Sequence, residues 1–241
     1  MNHNLKKKTL LITGGLGDFG KAITKKFSQY GCDVIITTTK KERASKIKKK
    51  WILYLDFNDP LSIKEFEHKI KHIKKIDYLI NNAGINRIDP IYNIKKKNLK
   101  EITNVNLIGP TWLTSLVSKK MKINRFGRII NISSIFGVVG KEKRSIYSIT
   151  KFGLNGLTKS SALDLAKYNI LINTISPGVF DTKLTRRVLK KKGIKNIKLS
   201  IPLNKLGKPE SIARLCIFLC SKENDYITGQ NIIIDGGYTC G

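Results

Sequence analysis

Short β-branched runs alternate along this chain with longer amphipathic segments. Thr9 to Thr13, Val34 to Thr38, Ile52 to Leu55, Tyr78 to Ile80, Arg128 to Ile132, Leu171 to Ile175 and Ile232 to Ile234 are largely apolar throughout, without polar alternation. A strand with one wet face alternates, whereas a strand covered on both faces does not, so these runs predict a buried parallel sheet. Helical spacing of apolar positions marks Phe19 to Gln29, Leu61 to Ile73, Asn98 to Met121, Tyr147 to Lys167 and Pro209 to Cys220, and Gly31 follows the first of these where a C-terminal glycine belongs. Strand and helix in regular succession predict an α/β fold, a doubly wound parallel sheet of about seven strands with helices on both faces.

No repeat, linker or shift in composition divides the chain, so residues 1–241 read as a single domain. Lys183 to Ser200 stands apart: it is polar and basic, lacks a core-facing stripe, and reads as a flexible flap over a site. Hydrophobic residues make up 41% and charged residues 26%, which suits a folded core and excludes disorder.

Charge is the outlier, with 46 Lys+Arg against 17 Asp+Glu for a net +29. That excess raises nucleic acid, an anionic membrane or an acidic substrate as partners. Lysines are spread almost everywhere, and no nucleic-acid motif or aromatic-interleaved basic module accompanies them, so nucleic acid is not the expected partner. Cys32, Cys216, Cys220 and Cys240 lack C-x-x-C spacing, and Met1 to Lys8 runs into the first strand without an apolar leader. Free thiols, no membrane span and a cytoplasmic location are the expectation.

The first candidate chemistry follows the first strand, at Thr13-Gly14-Gly15-Leu16-Gly17-Asp18-Phe19-Gly20. A glycine-rich turn opening a helix is where a Rossmann-type unit binds a dinucleotide pyrophosphate, because glycine admits close backbone approach and the helix N-terminus offers unpaired N–H groups. Asp18 is the awkward member; its carboxylate is expected to turn away and cap the helix. The second strand ends Thr37-Thr38-Thr39-Lys40-Lys41, with Arg43 close by, and lacks the carboxylate that would receive a ribose 2′-hydroxyl. Hydroxyls and cations there favour a 2′-phosphate, hence NADP(H) over NAD(H).

Tyr147 and Lys151 are four apart on a predicted helix and share a face. A free phenol, pKa about 10, is a poor acid at neutral pH. A partly buried ammonium about 4 Å away contributes up to roughly 4 kcal/mol at an effective dielectric of 20, which would bring it toward working range. Ser133-Ser134 stands at the end of the fifth strand, where open α/β sheets present ligands, and Asn106 lies in the preceding helix.

In these features the chain resembles the compact form of the short-chain dehydrogenase/reductase family. The likeness covers nearly the whole chain: the glycine turn, Asp56, Asn81-Asn82-Ala83-Gly84, Val105-Asn106, Ser134, Tyr147 through Lys151, Asn173, Pro177-Gly178, Thr182, Ile227 through Gln230 and Asp235-Gly236-Gly237. It implies a catalytic set of Asn106, Ser134, Tyr147 and Lys151, with Tyr147 as proton donor, Ser134 orienting the carbonyl, Lys151 holding the nicotinamide ribose and Asn106 fixing a relay water. It implies a cofactor site of Gly14, Gly17, Asp18, Phe19, Gly20, Thr38, Asp56, Phe57, Asn82, Ala83, Gly84, Tyr147, Lys151, Pro177, Gly178, Val179 and Thr182. The compact form's usual Thr-Gly-x-x-x-Gly-x-Gly would want glycine at Asp18; the spacing here is that of longer, sugar-nucleotide-modifying members.

Within the family the chain is most similar to 3-oxoacyl-acyl-carrier-protein reductases, notably over Lys205 to Glu210 and the C-terminal stretch. This implies a 3-oxoacyl thioester substrate, an acidic acyl carrier protein docking near Arg125 and the basic flap (Arg186, Arg187, Lys190 to Lys192), and a homotetramer through the helices spanning Asn98 to Met121 and Tyr147 to Lys167. The second docking position holds Tyr168 beside Lys167, and Asn86 to Ile94 lacks the Leu/Met-rich run of those enzymes. A sugar or polysaccharide-precursor dehydrogenase is the alternative, and a non-catalytic basic binding protein the remote one. No metal is expected: His68 and His72 share a helical face without a third ligand. Cys216 and Cys220 read as buried thiols, and Asn131-Ile132-Ser133 as a core strand, not a glycosylation site.

Overall fold

The computed structural model describes residues 5–47 and 50–241, so Met1 to Asn4 and two lysines of the Lys48 to Lys50 run lie outside the described residues. The strands are β1 (Thr9–Ile12), β2 (Asp33–Thr38), β3 (Ser45–Ile47), β4 (Lys50–Tyr54), β5 (Tyr78–Asn81), β6 (Gly127–Ile132), β7 (Ile170–Pro177) and β8 (Asn231–Ile234). They form one sheet in the order β3-β4-β2-β1-β5-β6-β7-β8. Seven are parallel, matching the seven runs read from the sequence. The unforeseen member is β3, three residues long and antiparallel to β4 at the edge.

Both faces of the sheet are covered, which is why its strands are apolar throughout. Leu10, Ile12, Val34, Ile36, Ile80, Ile130 and Ile132 pack toward α1 (Asp18–Gln29) and α7 (Pro209–Cys220). The intervening Leu11, Ile35, Leu79, Ile129 and Ile172 face the opposite core, against α2 (Pro60–Lys71), α4 (Gly109–Ile123) and α5 (Ser145–Leu165). Period-two alternation between two cores is what a doubly wound sheet requires. The chain leaves β1 for β2 on one side and later returns to β5 on the other, so a switch point lies beyond the C-terminal end of β1, where ligands bind in such sheets.

Two helical segments depart from expectation. The predicted helix over Asn98 to Met121 is α3 (Lys96–Thr103) and α4 joined through a π-turn, Asn104–Ile108. The expected flap forms a helix, α6 (Lys183–Leu199), interrupted at Lys190, where φ is 52°. It lacks a sequence signal because none of its described side chains is buried. Gly31, φ 82°, follows α1 in the left-handed conformation foreseen for it. Among the described residues no helix is long and apolar enough to cross a membrane.

Candidate active site

The turn between β1 and α1 is shaped by backbone proximity. Gly14 has φ +62°, and a Cβ on Gly20 would lie 2.4 Å from the Gly14 carbonyl oxygen and 2.6 Å from Gly15 Cα. Any side chain at Gly20 would push α1 off the turn. The segment after β5 holds the turn from the other side of the switch point. Asn82 Nδ2 donates to the carbonyls of Thr13 (2.9 Å) and Gly14 (3.0 Å), while Thr13 Oγ1 accepts the N–H groups of Asn82 (3.0 Å) and Ala83 (2.9 Å).

Asp18 does not cap its own helix. The N-cap is Gly17, without a side-chain bond, and Asp18 Oδ2 instead accepts the backbone N–H of Lys183, the first residue of α6, at 2.7 Å. The sequence offers no hint of a partner that far along the chain. Thr38, buried at the end of β2, accepts the Lys40 N–H through Oγ1 at 3.2 Å. Exposed Lys40, Lys41 and Arg43 flank the equally exposed Glu42 in the next turn. Asp56 Oδ1 accepts the Asn58 N–H at 2.9 Å. The Phe57 ring is packed edge-on against Trp112 and fills the space beside Gly109, so Phe57 can meet a cofactor only through its backbone.

The proposed chemical groups converge beyond β5 and β6. Lys151, 3% exposed, donates from Nζ to the Ile132 carbonyl at 2.9 Å, and Nζ lies 5.5 Å from the Tyr147 ring centroid. A Cβ on Gly84 would lie 3.5 Å from Asn106 Oδ1 and 3.6 Å from Lys151 Nζ, ordinary contact distances that place Gly84 beside both polar groups. Asn106 is wholly buried at the centre of the π-turn, a distortion that recurs at functional sites. Its amide exchanges two 2.9 Å bonds with the Ile85 backbone and donates to Thr150 Oγ1 at 3.3 Å. Ser133 Oγ is committed to the Lys151 carbonyl at 3.0 Å, leaving Ser134 as the serine beside Tyr147.

Electrostatics at Tyr147 differ from the expectation. Burial pushes the phenol above its ordinary value, and the Ser134 hydroxyl and Arg144 guanidinium only partly oppose this. Burial also lowers Lys151 from 10.5 to about 8. Desolvation thus outweighs the Ser134 hydrogen bond and the Arg144 charge at the phenol in this structure. Arg144, half-buried at the N-cap of α5 three residues before Tyr147, is a further charge at the site that the spacing of Tyr147 and Lys151 does not reveal; its signal is a cation just ahead of the helix that carries the tyrosine.

In the segment after β7, Gly178 donates its N–H to the Ile234 carbonyl at 2.9 Å, and Val179 accepts the Gly207 N–H at 3.1 Å. Thr182 caps α6, accepting the Thr185 N–H at 3.1 Å. Pro177 ends β7, which places Pro177 to Thr182 at the same edge as Ser134. A turn that requires Gly14 and Gly20 at the N-terminus of α1, beside the segment Asn82 to Gly84, suits a dinucleotide. The His68 and His72 rings lie 4.9 Å apart, and no group of three or more potential ligands among the described residues could hold a metal. Cys32, Cys216 and Cys220 are buried, Cys240 is exposed, and all four are free.

The family model described as enoyl-(acyl carrier protein) reductase matches residues 17–239. The chain is 37% identical over 247 residues to the 3-oxoacyl-[acyl-carrier-protein] reductase FabG of Aquifex aeolicus (strain VF5), spanning 98% of this chain and 99% of that relative. A gluconate 5-dehydrogenase from Burkholderia cenocepacia J2315 in complex with NADP and tartrate superposes with a TM-score of 0.92 at 25% identity, covering 100% of this chain and 98% of the other. A 4-hydroxyisoleucine dehydrogenase complexed with NADH gives a TM-score of 0.91 at 31% identity over 98% of this chain and 100% of the other. With the sheet order and the residues gathered at its switch point, these matches show that the chain belongs to the short-chain dehydrogenase/reductase family of NAD(P)-dependent oxidoreductases.

Proposed function

We propose that this enzyme interconverts a ketone and a secondary alcohol with NADP(H), and that its substrate is a 3-oxoacyl thioester presented by an acidic acyl carrier protein. The observation that carries the chemistry is the gathering of Asn106 and Lys151 beside Gly84, with Tyr147 next to Lys151 and Ser134 next to Tyr147. The dinucleotide supplies or accepts the hydride when bound. Its pyrophosphate would lie on the Gly14-to-Gly20 turn, its adenine near Asp56, and its nicotinamide end between Asn82 to Gly84 and Pro177 to Thr182.

Ser134 donates a hydrogen bond to the substrate carbonyl oxygen and fixes its direction. As negative charge develops on that oxygen, Tyr147 gives it the phenolic proton, and the adjoining cations stabilise the phenolate left behind. Lys151 holds the ribose hydroxyls and replenishes the Tyr147 proton; a value of about 8 lets it exchange protons near neutral pH. Asn106, through its two bonds to Ile85, holds the loop after Gly84 in place. Lys40, Lys41 and Arg43 support the NADP(H) preference as cations able to face a 2′-phosphate.

The full-length identity to a 3-oxoacyl-[acyl-carrier-protein] reductase supports the thioester substrate. Exposed Arg125 and the cations of α6 suit an acidic carrier. Exposed Ile108, Ile149, Phe152 and Leu163 along the π-turn and α5 support a homotetramer, which light scattering would test, a monomer mass counting against it. A keto-sugar or sugar-acid substrate is the second reading, favoured by the likeness to the gluconate 5-dehydrogenase. Turnover of NADPH and NADH against an acetoacetyl thioester and a panel of keto-sugars separates the two. Reduction of the thioester with preference for NADPH supports the first; activity confined to keto-sugars rejects it.

A further inference from the structure

α6 follows directly on Pro177 to Thr182, the proposed nicotinamide end, yet little of it is packed. None of its described side chains is buried; Leu184, Val188 and Leu199 are all more than half exposed. Lys190 breaks its helical path. The chain is moored on both sides of the helix, by buried Ile201 just beyond its C-terminal end and by the residues before its N-terminal end. Thr182 caps the first turn, and Arg186 forms a two-pronged pair with Asp181 at 2.6 and 2.7 Å. Both of these ties are internal to the segment and do not fix it to the domain.

The residues just before α6 are tied to the domain by the Asp181 N–H donating to the Gly207 carbonyl at 2.8 Å and by the bridge between Phe180 and Gly207, and two further contacts come from the first turn of α1. Asp18 Oδ2 accepts the Lys183 N–H at 2.7 Å, and the Phe19 ring meets buried Phe180 edge-on with centroids 5.2 Å apart. Asp18 occupies the glycine turn's end, where the compact form of the family would carry glycine, which has no acceptor. Its carboxylate therefore lies within the first turn of one helix and against the first N–H of another, two places where a negative charge is stabilised. This also resolves how a carboxylate is tolerated beside a pyrophosphate site: it is oriented toward α6, among Lys21, Lys25, Lys183 and Arg186 around the same depression.

We infer that Asp18 is a positioning residue, a strap through which the cofactor-binding turn holds the flap helix over the site. The strap acts through a hydrogen-bond acceptor, not through charge alone. A bond between the two segments makes their ordering reciprocal: whatever fixes the glycine turn also favours a docked α6.

The flap supplies its own probe, because Arg186, Arg187, Lys190, Lys195 and Lys198 are tryptic sites whose cleavage reports local opening. Limited trypsinolysis of the full chain compares wild type, Asp18→Asn, which keeps an acceptor oxygen, and Asp18→Ala, which has none. Asp18→Ala is expected to be nicked within 183–200 on the order of fivefold faster than wild type, with Asp18→Asn restored to within about twofold. NADPH should slow nicking of wild type more than of Asp18→Ala. In steady state, Asp18→Ala should raise KM for the carbonyl substrate severalfold more than it lowers kcat. Equal nicking in all three proteins, or Asp18→Asn nicked as fast as Asp18→Ala, would overturn the strap. The nicking comparison needs no substrate, so its failure is distinguishable from failure of the thioester reading.

Discussion

Replacing Lys151 by methionine should make the cofactor-free protein more stable while abolishing its activity. Lys151 is 3% exposed and its ammonium is lowered from 10.5 to about 8 by burial. At about 1.36 kcal/mol per unit, holding it charged in the fold at pH 7 costs roughly 3 kcal/mol. Methionine removes that cost and forfeits the 2.9 Å bond to the Ile132 carbonyl, worth about 1 kcal/mol, for a net gain of roughly 2 kcal/mol. The folded-state value lies below the unfolded one, so between about pH 8 and 10.5 the unfolded chain binds the extra proton. Wild-type stability from this group therefore rises with pH through that window, and the advantage of Lys151→Met shrinks to nothing or reverses above it. Urea denaturation of both proteins at a series of pH values from 7 to above that window measures the difference directly. A variant no more stable than wild type at pH 7, or a gain that does not change with pH, would refute the buried-ammonium account.

Gly20→Ala should destabilise the fold by about 1–3 kcal/mol and weaken dinucleotide binding, because its Cβ would lie 2.4 Å from the Gly14 carbonyl oxygen; paired melting and NADPH titrations check both effects. A thiol reagent should modify Cys240 rapidly and Cys32, Cys216 and Cys220 only on unfolding, since burial raises the latter three and shields them; two or more fast thiols per chain would contradict the packing.

The sheet was legible because burial on both faces leaves its mark on the sequence: Leu10, Leu11 and Ile12 are all apolar because alternate residues enter different cores. β3 escaped notice because three residues carry no period. α6 escaped for the opposite reason: an amphipathic signal records a buried face, and α6 has none. The glycine turn, Ser134, Tyr147 and Lys151 stood out as residue types at set spacings. Asp18's partner did not, because an accepted backbone N–H 165 residues away depends on tertiary placement alone. The π-turn around Asn106 is similarly hidden, since a single wide turn within a long helical segment leaves no mark that residue type alone reveals. At Tyr147 the nearness of Lys151 could be read from spacing; the desolvation that raises the phenol could not.

The claim that Tyr147 is the proton donor is tested most directly by Tyr147→Phe, with NADPH affinity and single-turnover reduction of an acetoacetyl thioester followed on the same protein. Affinity should stay within a few-fold of wild type while the hydride-transfer rate falls by about 10²–10⁴-fold. Reduction at a rate within a few-fold of wild type would contradict the assignment.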